Sequence, residues 1–430
     1  MHSSLRLLTR RRFLPLFATQ LLGAFNDNLF KSAMVMLVVY RIYSDPATEM
    51  AFSALAGAIF ILPYLVLSAS AGQLADFRDK ARLIRIIKTA EIIIMIGGAV
   101  GLLFGNLPLL LLALFAMGVH STFFGPIKYA ILPQHLESDE VLGGTGLVEA
   151  GTYIAILGGT IFGGLMQGAV NSGDLPHWSV GAAVIAVAVV GRWIGGMVPP
   201  AHPEVPNLPV DHHPIRQSIR LVSATMHIPR LFLAIWAISF FWAMGAILAA
   251  QFPPLVKNEF HGDENVATMF LSIFSIGVAI GSVAVNRLLS GHVSARYSPI
   301  SAIVMGLFVL DLYWSVSHWP ISNGALLTVG EFIRLGHADR VLLDLFGVAV
   351  AGGMFVVPLY AFLTTTVPKS ETARTVAANN IVNSGAMVLS ALLLAVLMKI
   401  GVSIGGTLLM VSAASLIAAY LAQRLHRACD

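Results

Sequence analysis

GQLADFRDKAR, residues 72–82, is a short charged segment between two apolar runs, Ala51–Ala71 and Ile92–Phe104. A helix of about 20 apolar residues is long enough to cross the hydrocarbon core of a bilayer, which is about 30 Å thick. Backbone amides in lipid must be paired inside their own segment, which favours helices over open strands. The segment is therefore predicted to be a tight loop that joins two membrane helices.

The composition extends this prediction to the whole chain. Hydrophobic residues make up 57% of the sequence and charged residues 11%, which leaves too little polar surface to cover a soluble protein of 430 residues. Ten long apolar runs, together with Phe13–Val39 and Val141–Gly168, predict twelve transmembrane helices, numbered 1 to 12 in chain order. The ten runs are Ala51–Ala71, Ile92–Phe104, Leu107–Phe124, Val180–Val198, Leu231–Phe252, Met269–Val285, Pro299–Val316, Val341–Phe362, Val376–Met398 and Gly401–Leu421. The predicted fold class is an all-α polytopic membrane protein, and Phe13–Val39 is interpreted as its first helix because it is too long and too polar for a signal peptide.

The longest polar interruption, residues 199–229, is rich in proline and histidine and has six predicted helices on either side. We therefore expect an N-terminal half at 1–198, a cytoplasmic linker at 199–229 and a C-terminal half at 230–430. Two short matches in the same order indicate that the halves are related, as duplicated transporter halves are. The matching pairs are Phe124–Leu132 with Val356–Leu363 and Gly146–Gly151 with Asn380–Gly385.

The basic residues indicate the orientation in the membrane. Twenty of the 26 lysines and arginines, Lys88 among them, are assigned to one side, five to the other, and Lys31 to the membrane interior. The positive-inside rule then places both termini in the cytoplasm. The excess of basic over acidic residues is explained by this membrane topology, so nucleic acid is not an expected partner. The single cysteine, Cys429, excludes disulfides and cysteine metal sites, and no metal site or cofactor is predicted.

The first predicted helix carries a polar stripe. At 100° per residue, Gln20 and Lys31 lie about 20° and 40° from Asp27, and Asn28 lies about 100° away. Asn26 points to another face. Charged groups in membrane spans usually face the protein interior or pair with each other. The stripe is thus predicted to contact substrate or to gate, with an internal Asp27–Lys31 pair of purely structural role as the alternative.

Polar groups on three other helices are further candidate binding residues. Lys128 follows Pro126 near the inner end of helix 4, with a lysine that extends to the interface as the alternative. Glu149 and Tyr153 share a polar face of helix 5, where Glu149 could equally be a structural carboxylate. Asn379 and Asn383 form a matching face on helix 11.

The opening segment closely resembles motif A of the major facilitator superfamily. The resemblance implies that Gly72 permits close helix packing, that Asp76 pairs with arginines and caps a helix, and that Arg78 and Arg82 take part in a cytoplasmic gate. Its counterpart in the second half, GSVAVNR at residues 281–287, lacks the aspartate.

Within that superfamily the chain resembles the bacterial lysophospholipid transporter family over most of its length. The resemblance is carried by FNDNLFKSAMVML (25–37), GQLAD (72–76), FFGPIKYAILPQHL (123–136), GLVEAGTYIAILGG (146–159) and GGMFVVPLYAFL (352–363). It implies inward flipping of lysophospholipid, chiefly lysophosphatidylethanolamine, across the inner membrane. It also implies re-acylation by a separate or fused lysophospholipid acyltransferase with acyl carrier protein. In helix 7 the family can carry a basic residue among its apolar ones, but FFWAMGAILAAQFPPLV (240–256) has none. The resemblance therefore does not extend to a second-half phosphate contact there.

The resemblance also implies that the ligand of the candidate residues is a zwitterionic lipid headgroup. Lys31 or Lys128 would hold its phosphate, and Asp27 or Glu149 its ammonium. We expect a monomer that is not an enzyme, because no nucleophile, base and orienting group recur at a usable spacing. Two alternatives remain open: a proton-coupled exporter of amphipathic drugs or small solutes, and a membrane scaffold for a lipid enzyme that does not itself transport.

Overall fold

The computed structural model describes residues 6–137, 140–202, 213–289, 294–320, 325–366 and 369–429, apart from some side chains within these ranges. This part of the chain contains twelve long helices. They are α1 (Leu14–Leu37), α2 (Pro46–Phe77), α3 (Lys80–Phe104), α4 (Leu107–Ala130), α5 (Val141–Ser172), α6 (Ser179–Gly195), α7 (Pro229–Asn258), α8 (Glu264–Leu288), α9 (Ser298–Ser317), α10 (Ala338–Thr365), α11 (Lys369–Lys399) and α12 (Ile404–Cys429).

Ten of these helices are long and apolar enough to cross a membrane. Of the other two, α1 carries the charged stripe and α6 is a shorter apolar helix of 17 residues. The predicted fold class, an all-helical polytopic membrane protein, is confirmed: the described residues contain twelve long helices, and ten of them have the length and hydropathy of a membrane span.

Shorter elements connect the long helices. They are the turn of 3₁₀ helix Arg6–Thr9, the π turn Val38–Ile42, and the short helices Leu132–His135, Pro214–Met226 and Val329–Arg334. Most of the first half of the predicted linker, residues 203–212, lies outside the described residues, and its second half is the helix Pro214–Met226. In the segment before α10, Val329–Arg334 is a short helix.

The chain divides into two compact units. The first contains Met1–Val38 and Leu62–Gln217, and the second contains Val39–Ile61 and Ser218–Asp430. In the first unit α1 packs closely on α5, where a Cβ on Gly159 or Gly163 would overlap the carbonyl oxygen of Phe25 or Leu29. Small residues at four-residue spacing allow membrane helices to approach this closely.

One detail of the motif-A segment differs from the sequence-based expectation. No described atom lies within 4 Å of the position that a Cβ on Gly72 would take, so Gly72 is not a site of close packing. In the second unit Gly281 is such a site, because its Cβ would overlap the carbonyl oxygen of Val350. The N-cap of α3 is Asp79, whose carboxylate accepts the Arg82 N–H at 2.8 Å. The side chain of Asp76, for which a capping role is predicted, lies outside the described part of the structure.

Candidate functional site

Asp27 is buried on α1, and one edge of its carboxylate is held by a neighbouring helix. The Ser121 hydroxyl of α4 donates a hydrogen bond to Oδ2 of Asp27. The other oxygen, Oδ1, is buried and has no hydrogen-bond partner among the described residues. A buried carboxylate in a membrane protein is costly unless it is paired or used, so Asp27 is the centre of the candidate site.

The rest of the α1 stripe has contacts of its own. Asn28 donates its amide to the carbonyl of Ala24, one turn earlier, at 2.8 Å. Lys31 lies one turn beyond Asp27 on α1. The predicted interior position of the stripe is supported by Gln20 and Asp27, which are both buried.

A second polar group forms where α1, α4 and α5 meet. The Thr152 hydroxyl lies 2.9 Å from Oε1 of Gln20, to which it can donate, and the Lys128 ammonium lies 3.3 Å from the same hydroxyl. The ammonium of Lys128 also lies 4.8 Å from the centre of the Tyr129 ring. Two predicted site residues, Gln20 and Lys128, are thus brought together through Thr152 of α5.

A buried ionic cluster in the first unit was missed by the sequence analysis. Lys88 and Glu91 on α3 form an ion pair whose side chains are 1% and 0% exposed. The amide of Asn26 donates to Oε1 of Glu91 at 2.9 Å, and Nε2 of His120 lies 3.3 Å from Oε2. The face of α1 that carries Asn26 therefore serves this cluster rather than the stripe.

Lys88, which the sequence analysis counts among the charges of the cytoplasmic side, is buried within a helix and does not lie in a loop. Lys88 lies two turns inside α3, where its ammonium packs against Gly23 of α1 and Gly191 of α6. A count of the basic residues between apolar runs cannot distinguish a lysine exposed at the end of a helix from a lysine buried within the first turns of that helix. The signal that was available is Glu91, an acid three residues later in an otherwise apolar run, since intramembrane charges are usually paired.

The ionic cluster connects to Asp27. Nδ1 of His120 lies 3.4 Å from the Ser121 hydroxyl, which in turn donates to Asp27. A continuous set of polar contacts therefore runs from Glu91 to Asp27, which fixes the position of the Asp27 carboxylate.

The second unit has a polar group of its own. Ser239 of α7 donates to the Asn383 amide oxygen at 2.7 Å, and the Asn383 amide donates to the Tyr360 hydroxyl at 3.3 Å. Trp242 also donates to Tyr360, at 2.7 Å. Asn379 is fully buried, and its amide oxygen has no hydrogen-bond partner among the described residues. The predicted face of α11 is therefore polar and buried, and Tyr360 is the partner that the sequence analysis missed.

The remaining predicted residues are placed only in part. Glu149 and Tyr153 lie on α5 and Asp76 on α2, but their side chains lie outside the described part of the structure. Arg78 and Arg82 are exposed next to α3 and at its start. Among the described residues, no three His, Cys, Asp or Glu side chains are grouped so that they could hold a metal ion.

The chain resembles known transporters over nearly its whole length. The family profile described as Major Facilitator Superfamily matches residues 16–391. The lysophospholipid transporter LplT of Pectobacterium carotovorum is 27% identical over 396 residues, which cover 90% of this chain and 86% of that protein. LplT of Citrobacter koseri is 28% identical over 410 residues, with 91% and 89% covered.

Solved structures show the same fold at low identity. A peptide transporter of the POT family in complex with sulfate superposes with a TM-score of 0.69 at 15% identity, covering 96% of this chain and 95% of that one. A D-xylose-proton symporter superposes with a TM-score of 0.67 at 12% identity, covering 96% and 97%. At these identities the likeness concerns the fold alone.

Proposed function

Because the chain belongs to the Major Facilitator Superfamily, we propose that it is a secondary transporter that moves lysophospholipids, chiefly lysophosphatidylethanolamine, inward across the bacterial cytoplasmic membrane. The curated relatives with the same name, lysophospholipid transporter, support this cargo. The proposed mechanism is alternating access by two halves, residues 1–198 and 230–430, joined by the linker 199–229.

The observation that carries the proposal is the Asp27 carboxylate. One oxygen is occupied by Ser121, and the buried Oδ1 is without a hydrogen-bond partner among the described residues. An ammonium group supplies the positive charge and the N–H donors that such an oxygen requires. The ethanolamine headgroup ends in an ammonium, so Asp27 is its proposed ligand, and Glu149 is a second acid available to it on α5.

The phosphate of the same headgroup requires a cation. Lys31 lies on the same stripe as Asp27, and Lys128 lies at the inner end of α4 beside Thr152. Lysine is a common phosphate ligand in proteins. The remaining proposed contacts are polar rather than charged: Gln20, Asn28 and Tyr153 in the first half, and Asn379 and Asn383 in the second.

The proposal includes the surroundings of the transporter. Both termini face the cytoplasm, where the basic residues are concentrated, and Gly72, Asp76, Arg78 and Arg82 belong to the cytoplasmic gate. The flipped lipid is re-acylated there by a lysophospholipid acyltransferase that works with acyl carrier protein. The transporter itself acts as a monomer.

The test is lysolipid movement in vesicles that contain the purified protein. Fluorescent lysophosphatidylethanolamine is added outside, and the fraction protected from a bovine-albumin wash is measured over time. We expect Asp27→Asn, which keeps the hydrogen bond from Ser121 but removes the charge, to lower the initial rate at least about tenfold, since a lost charged contact is worth about 1.5–3 kcal/mol. Asp174→Asn, in the exposed turn after α5, is the matched control and should keep the full rate.

Three outcomes would count against the proposal in different ways. Wild-type vesicles no faster than empty vesicles would refute lysolipid transport, and proton-linked drug efflux by those vesicles would favour the exporter. Full transport by Asp27→Asn would show that the charge of Asp27 is not a ligand of the headgroup. Full transport after exchanging the charges of Asp27 and Lys31 would show that the two residues contribute only their mutual attraction.

A further inference from the structure

Three arginines line an open groove on the surface of the first unit. Arg82 and Arg85 come from the first turns of α3 and Arg192 from the last turn of α6, and the groove has a volume of about 600 Å³. Nε of Arg192 donates to the Thr89 hydroxyl at 2.8 Å, which joins the two helices across the groove. The three arginines thus line one groove, and the hydrogen bond to Thr89 fixes the position of Arg192 within it.

The groove continues along α3 as an apolar surface. At 100° per residue, the groove residues Arg82, Arg85, Ile86 and Ile93 all lie within about 60° of Thr89, and so do Ile96 and Val100 farther along. Ile93, Ile96 and Val100 are 68%, 49% and 41% exposed. At 1.5 Å per residue the stripe from Arg82 to Val100 is about 27 Å long, which is close to the thickness of the hydrocarbon core.

No acid is among the described residues that line the groove, and the Asp79 carboxylate at the start of α3 accepts the backbone N–H of Arg82. The residues that line the groove are Arg82, Arg85, Ile86, Thr89, Ala90, Ile93 and Arg192. The acid of α3, Glu91, lies on the far side of the helix and is fully buried against Lys88. Trp193, beside Arg192, is 66% exposed, as is typical of an aromatic residue at the membrane interface.

From this juxtaposition we propose that the groove between α3 and α6 is a binding site for an anionic phospholipid. Its phosphate contacts the three arginines, and one acyl chain lies along the exposed stripe of α3. Basic pockets between membrane helices bind anionic headgroups in this way. A free phosphate ion shares the headgroup chemistry, but it would make no use of the apolar stripe, so the lipid is the occupant. The site is separate from Asp27 and does not depend on which cargo is transported.

The proposal is tested by lipid binding to the purified protein in neutral detergent. Phosphatidylglycerol or phosphatidylcholine with the same acyl chains is titrated in mixed micelles, and bound lipid is counted by native mass spectrometry. We expect selective retention of phosphatidylglycerol by the wild-type protein. The affinity for phosphatidylglycerol should fall roughly 100-fold in the triple variant Arg82→Gln, Arg85→Gln, Arg192→Gln, because each arginine is expected to contribute about fivefold.

The controls separate this site from general surface charge and from folding defects. A second triple variant, Arg296→Gln, Arg424→Gln, Arg427→Gln, removes the same charge from exposed positions of the second unit and should keep wild-type affinity.

Single variants keep the test decisive if the triple groove variant does not fold. Arg85→Gln should lower the affinity about fivefold, and Ile93→Ser should weaken lipid retention without changing the charge. Equal affinity in the wild type and the folded groove variants would overturn the proposal. Displacement of the lipid by glycerol phosphate at equal concentration would also overturn it, because the acyl chain would then contribute nothing.

Discussion

Replacement of Glu91 by glutamine tests whether the buried ionic cluster stabilises the first unit. The substitution keeps the size of the side chain and an oxygen that can accept the Asn26 amide, but it removes the charge opposite the Lys88 ammonium. That ammonium is closed in, because Cβ atoms added to Gly23 and Gly191 would lie 3.1 and 3.2 Å from it. Water therefore has little room to replace the lost carboxylate.

The expected loss is large because only one charge of the pair is removed. Breaking a buried ion pair by deleting one partner typically costs about 3–5 kcal/mol, since the remaining charge is left without compensation. The cost arises from burial, so removing both charges should recover most of it. We expect the double variant Lys88→Met, Glu91→Gln to be within about 1 kcal/mol of the wild type, as replacement of whole buried pairs often is.

The assay is unfolding of the purified protein in detergent, followed by the loss of helical circular dichroism. Glu140→Gln is the matched control, since its ion pair with Arg12 is partly exposed, at 27% and 35%, and should contribute at most about 1 kcal/mol. The reasoning is refuted if Glu91→Gln unfolds like the wild type. A double variant as unstable as Glu91→Gln would show that the cost comes from packing and not from the charge of Lys88.

Two further predictions concern close packing and a loop outside the membrane. Gly281→Ala should destabilise the protein by about 1–3 kcal/mol because the new methyl group meets the Val350 carbonyl. Gly72→Ala should be neutral or slightly stabilising, since no described atom lies within 4 Å of the new methyl group. Equal melting temperatures for the two variants would contradict this. The pKa of Glu331 lies below its ordinary value because the backbone N–H and hydroxyl of Thr328 donate to its carboxylate at 2.9 and 2.8 Å. Stabilisation of this turn by Glu331 is therefore present above its ordinary pKa and lost as the pH falls through the lowered value. Thr328→Ala should raise that pKa in an NMR titration, and an unchanged value would show that the backbone contact alone lowers it.

Much of the fold and part of the site could be predicted from the sequence. Apolar runs of membrane length predicted the twelve helices, because chain length and hydropathy decide which segments cross a bilayer. The 100° spacing of residues predicted that Gln20 and Asp27 share a face of α1, and both are buried. Helical periodicity is local, so it can be calculated without knowledge of the neighbouring helices.

Contacts between helices were decided by the tertiary structure. Ser121, which holds Asp27, and His120, which contacts Glu91, lie on α4 and give no sign in the sequence of the helix that they face. Lys88 reads as a loop charge in the sequence, yet it is buried two turns inside α3. The sequence by itself determined which residues are polar and which face of a helix they share. Only packing decided which polar groups meet, because a buried charge takes its partner from whatever neighbouring helix lies against it.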